Sequence, residues 1–78
     1  MSTLTIKMSH IAVDIKFSNA SMIISLSDGR EISVPLEWFP KLRDASKEEL
    51  NNWRLIGNGE GIHWEKLDED LLVANLLN

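Results

Sequence analysis

The 78-residue sequence predicts an α+β fold: a small antiparallel sheet, built as a three-stranded meander plus one or two short strands, with two or three short helices. Three observations predict it. Apolar and polar residues alternate between residues 11 and 34, interrupted by Asp28-Gly29, which is the period and the turn signal of antiparallel strands. Two prolines and a Ser-x-x-Glu sequence then mark short helical turns. Gly57, Gly59 and Gly61 separate two further short apolar runs, RLIG and GIHW.

The elements follow in order. HIAVDIKF places Ile11, Val13, Ile15 and Phe17 on alternate positions, as a strand with one buried face requires. SNAS supplies turn formers at 18 to 21. A second strand carries Met22, Ile24 and Leu26 inward, and Ile23 indicates that its other face is partly covered. Asp-Gly between alternating runs is a strong hairpin signal, because Gly accepts the positive φ of a tight turn, and Ile32 and Val34 complete the third strand.

Pro35 cannot donate to a ladder and closes that strand, while Pro40 biases Phe39 away from helical geometry. PLEWFPKLRDA reads as one or two helical turns. Ser46 and Glu49 stand at capping-box spacing, with Ala45 and Leu50 placed as a hydrophobic staple, so a helix is expected from Ser46 to about Trp53, with Leu50 and Trp53 on one face. RLIG at 54 to 57 and GIHW at 61 to 64 are expected to pair across the glycine turn. In LLVANLL, Leu72, Val73, Leu76 and Leu77 have helical spacing, and Asp68, Glu69 and Asp70 before them suit the positive end of a helix dipole, at roughly 0.3–1 kcal/mol each. A final helix is therefore expected.

A chain this short makes one domain over residues 1–78 and buries only roughly 60–65 % of its unfolded surface. It contains no cysteine, so disulfides, thiolate chemistry and Cys-based zinc sites are excluded. The opening MSTLTIKMSH lacks a basic segment followed by an apolar core, and no apolar run approaches the roughly 18 to 20 residues that span a bilayer. A soluble, cytoplasmic protein is expected. Eight basic residues stand against 12 acidic ones, net −4, with no basic cluster. Direct nucleic-acid binding by this chain alone is disfavoured, since phosphate neutralisation needs a basic face. The acidic balance suits a basic protein partner.

The stretch GNGEGIHWEKLDED concentrates the residues that could carry chemistry. Its G-x-G-x-G spacing matches neither a dinucleotide fingerprint nor a P-loop, and Glu60 would repel phosphate. Catalytic zinc takes three protein ligands, yet His10, the other histidine, is remote in sequence from His63. Between Ile62 and Trp64, His63 should face away from both, partly exposed or hydrogen-bonded to a carboxylate. No Ser/His/Asp or Cys/His arrangement is evident, so neither catalytic residues nor cofactors are expected and an enzyme is disfavoured; a hydrolase using His63 with Asp68 or Asp70 is a minor alternative. Trp38, Trp53 and Trp64 are expected to pack in the core or at its rim, with the indole N–H directed to carbonyls or water. The competing reading makes Trp38 and Phe39, between two prolines and flanked by Lys41 and Arg43, a contact surface.

The motifs DGR, VPLEWFPKLRDAS and LIGNGEGIHWEKLDEDLLV, in that order, resemble a family of small bacterial proteins, domain-of-unknown-function family 2442. The family pattern is similar to D-G-R, P-L-x-W-F-P-R-L, G-x-G-I-H-W and L-D-E-D, which fall here on Asp28 to Arg30, Pro35 to Leu42, Gly59 to Trp64 and Leu67 to Asp70. Lys41 stands where Arg is usual, Glu65 where Pro is common, and Leu72 where a capping Ser is frequent, which puts the start of the final helix in doubt. The resemblance implies no enzymatic activity and no catalytic residues. It implies an association with a neighbouring small protein in a toxin-antitoxin-like arrangement, and the helix-turn-helix domain of some members has no room here.

The resulting expectation is a noncatalytic protein-interaction module, antitoxin-like, whose contact residues are Trp38, Phe39, Lys41, Arg43, His63, Trp64, Asp68, Glu69 and Asp70. A homo-oligomeric ligand-binding or regulatory domain, with a pocket between subunits, is the alternative.

Overall fold

Alternation between residues 11 and 34 folds into the expected meander. In the computed structural model, which describes residues 10–77, β1 (Ala12–Phe17), β2 (Ser21–Leu26) and β3 (Glu31–Pro35) form an antiparallel sheet in that order. Met22, Ile24 and Leu26 are buried and Ile23 is half-buried. Arg30 closes the DGR turn: its backbone N and its Nε donate to the two Asp28 carboxylate oxygens, at 3.0 and 2.8 Å. Gly29 takes φ +94°, the left-handed residue of a three-residue loop in which Leu26 N donates to Arg30 O.

The expected inward face of β1 is corrected by one residue. Its register with β2 runs Ala12↔Leu26 and then Asp14↔Ser25, so a bulge lies at Val13. An extra residue reverses a period-two pattern. Ala12 and Ile15 consequently point into the core, whereas Val13 is 55% exposed and Ile11 half-buried.

Pro35 leads into a 3-10 turn (Leu36–Trp38), followed by α1 (Pro40–Arg43) and α2 (Lys47–Leu50). The capping box forms as its spacing predicts: Glu49 N donates to Ser46 Oγ at 3.1 Å and Ser46 N donates to Glu49 Oε1 at 3.0 Å. The helix stops at Leu50, short of the expected Trp53. Trp53 instead opens β4 (Trp53–Ile56) and pairs with Trp64, because β5 (Gly61–Trp64) offers it a ladder that a one-turn helix cannot match.

The expected final helix is also absent over Glu69–Leu72. This segment is β6, the third strand of a second antiparallel sheet ordered β4-β5-β6, and only Val73–Leu76 turns, as a 3-10 segment. Asp68 at φ +50° breaks helical geometry just before it. The pairs Ile62↔Leu71 and His63↔Asp70 then use the period-two order of EDLL, burying Leu71 and exposing Asp70 and Leu72. The carboxylates therefore serve a turn and a strand rather than a helix dipole.

Both sheets share one core. Ile15, Met22, Ile24 and Val34 from the first join Ile62, Trp64 and Leu71 from the second in one cluster with Leu36, Leu42 and Leu50. The indole N–H of the fully buried Trp64 donates to the Leu50 carbonyl at 2.9 Å, so a core tryptophan satisfies the open end of α2. Among the described residues no helix is long and apolar enough to cross a membrane.

Candidate functional site

The second sheet has two chemically distinct faces. Register places Leu55, Ile62 and Leu71 on the covered side, and two rows on the other: Arg54↔His63↔Asp70 and Ile56↔Gly61↔Leu72. The first row is ionic, the second apolar. His63 faces away from Ile62 and Trp64, as its alternation with them predicts, and sits between carboxylates. Its Nδ1 is hydrogen-bonded to Asp70 Oδ1 on the neighbouring strand, and its Nε2 lies 3.4 Å from Glu65 Oε1. The same Glu65 oxygen accepts from Arg54 Nη2 at 3.4 Å, joining β4 to the end of β5. The Asp70 hydrogen bond raises the His63 pKa above its ordinary value, partial desolvation opposes this, and the charges of Asp70 and Glu65 reinforce it.

Trp64 must be removed from the expected contact residues. It is fully buried, on the core side of β5, and has no surface to present. Two exposed apolar residues on the outward face were not among the expected contact residues. Ile56 and Leu72, 37% and 58% exposed, stand on either side of Gly61 on the outward face. Their signal was the two-residue period of WRLI and EDLL, legible only once those segments are known to be strands.

The WFP segment contributes a second group. Trp38 is 61% exposed, while Phe39 is half-buried and forms the entry to α1. Lys41 Nζ donates to the Asp68 carbonyl at 3.1 Å, which ties α1 to the turn between β5 and β6. Sequence positions 41 and 68 are thereby brought together. Arg43 Nε and Nη2 donate to Asp44 at 3.0 and 3.1 Å, and Glu37 lies 4.0 Å from Nη1. The Asp44 hydrogen bonds raise the Arg43 pKa, and the same contact lowers that of Asp44. Glu69 is half-buried opposite Trp64 in the ladder.

What the arrangement can do chemically is limited by its partners. Both His63 ring nitrogens face carboxylates, which stabilises an imidazolium and removes the free lone pair of a general base. Among the described residues no group of three His, Cys, Asp or Glu side chains is placed to hold a metal ion. The glycine stretch is a structural turn. Gly57–Gly59 is a 3-10 turn with Asn58 at φ 59°, and Gly59, at φ +99°, lies so close to the first sheet that a Cβ would meet the Ala12 carbonyl at 2.5 Å.

No curated protein matches this chain. A solved structure, described as the crystal structure of a protein of unknown function from Rhodospirillum rubrum ATCC 11170, is similar at 30% identity and a TM-score of 0.75, covering 86% of this chain and 83% of that one. The family described as "Protein of unknown function (DUF2442)" matches residues 12–78, which takes in all six strands, the WFP segment and the GIHW and DED motifs. The order of motifs, the fold and this match agree, and the chain belongs to that family.

Proposed function

We propose that this chain is a noncatalytic protein-interaction module whose contact surface joins the Trp38 turn to the outward face of the second sheet. The observation that carries the reading is Trp38. It is 61% exposed on a short turn held between Pro35 and Pro40, with Phe39 N bonded to Leu36 O at 2.9 Å. A large indole presented on a preorganised backbone loses little conformational entropy on binding, and Trp is enriched at binding hot spots. The Lys41 contact to the Asp68 carbonyl supports a continuous surface from Trp38 to the turn before Asp70 and Leu72. In its finer form the proposal makes the chain the antitoxin-like member of a bacterial toxin-antitoxin-like pair with a small basic partner. Support for that form comes from the net charge of −4 and from the family resemblance.

The test is affinity purification of the tagged chain from its own host, followed by titration of the complex with salt. A stoichiometric small basic partner is expected, bound less tightly as ionic strength rises. Trp38→Ala should keep its circular dichroism spectrum and weaken the complex about 30-fold, the equivalent of a ~2 kcal/mol hot spot. A chain recovered alone as a defined oligomer, or a Trp38→Ala variant binding as tightly as the parent, would overturn the reading.

A further inference from the structure

A groove of about 410 Å³ opens between the β1–β2 turn and the two helices, away from the outward face of the second sheet. Its lining mixes the apolar Phe17, Leu36, Ala45 and Leu50 with the neutral polar Ser18, Asn19 and Asn51 and the cations Arg43 and Lys47. We infer that this groove binds a small amphipathic carboxylate, an acid group on an apolar tail, and that Lys47 is the cation that selects for it.

The argument begins with charge. Acidic residues outnumber basic ones 12 to 8 in the chain, yet the charged groups lining the groove are both cations. They are not equivalent. Arg43 already donates twice to Asp44 and lies near Glu37, so its charge is largely answered within the protein. No ion pair within 4.0 Å is formed by Lys47 among the described residues, and the lining it shares with Arg43 contains no acidic residue.

Apolar lining and size complete the case. Leu36 and Leu50 are buried, but Phe17 and Ala45 are only half-buried, so apolar area remains that the fold itself does not cover. The volume falls within the ~300–1,000 Å³ range of small-molecule sites. An apolar tail on Phe17 and Ala45 with its carboxylate toward Lys47 uses both features. A neutral or cationic ligand of the same shape uses the apolar lining alone.

Three probes of matched length separate these cases: octanoate, octanol and octylamine, titrated into the intact protein and followed by amide chemical shifts. Saturable shifts centred on Phe17, Leu36, Ala45 and Leu50 are expected with octanoate. Octanol should bind roughly fivefold more weakly and octylamine more weakly still, as befits one partly exposed charge contact. Lys47→Glu should abolish the preference for octanoate over octanol, while Lys66→Glu, which makes the same change in net charge outside the lining, should preserve it. The inference fails if octanol or octylamine binds as tightly as octanoate. It fails also if the shifts do not saturate or scatter beyond the groove, or if Lys47→Glu, folded by the same spectrum, keeps the preference.

Discussion

His63 shows how one side chain converts a strand register into a pH response. Its imidazole is hydrogen-bonded to Asp70 and faces Glu65, with Arg54 completing the row from β4. The folded-state pKa is raised, so folding binds a proton more tightly than the unfolded chain does. That contribution is fully present below the unfolded value of about 6.5 and is lost as pH rises through the raised folded value. Urea midpoints should therefore fall from pH 6 upward through the raised pKa, and Asp70→Asn should flatten the decline, because it removes the principal cause of the shift. An unchanged slope in Asp70→Asn would place the proton elsewhere. At this scale the sequence was informative about His63, since alternation alone set its face and left exposure or a carboxylate partner as the alternatives, of which the structure shows the second. For Trp64 the sequence predicted core or rim packing with the N–H on a carbonyl or water, but not that the acceptor is Leu50, 14 residues earlier.

Elements whose signals are local were legible, and those decided by a distant partner were not. The capping box at Ser46 and the DGR turn form within a few residues and appear where their residues predict. The bulge at Val13 and the strand at Glu69–Leu72 depend on pairing with β2 and β5, and a run of carboxylates before LLV fits a helix entry as well as a strand edge. The glycine turn is the element where this distant dependence is strongest. Gly59 combines a left-handed φ with direct contact on the Ala12 carbonyl, which belongs to the other sheet. Gly59→Ala therefore meets two penalties at once, a backbone strain of about 1 kcal/mol and displacement of the β1 end. A loss of roughly 2–4 kcal/mol is expected by chemical denaturation, against about 1 kcal/mol for Gly29→Ala, where a Cβ meets open space and strain acts alone. Equal losses at the two positions would mean that the contact between sheets carries no energy.

That contrast bears on the whole molecule, because neither three-stranded sheet has a core of its own. Ile15, Met22 and Ile24 pack in the same cluster as Ile62, Trp64 and Leu71, together with Leu36, Leu42 and Leu50. The seam is further closed by the close approach of Gly59 to Ala12. A small isolated sheet is marginal in water, so separating the halves would expose apolar area that neither could rebury. The two sheets should accordingly unfold in one transition. The tryptophans provide a convenient division, since Trp53 and Trp64 report on the second sheet while hydrogen exchange at Ile15, Ile24 and Val34 reports on the first. Urea midpoints from fluorescence and from the exchange-protected amides of the first sheet are expected to coincide. Were the first sheet to keep its protection after the tryptophans are exposed, the shared core would be two cores in contact. Unfolding data on Gly59→Ala would then have to be read as the loss of docking rather than of folding.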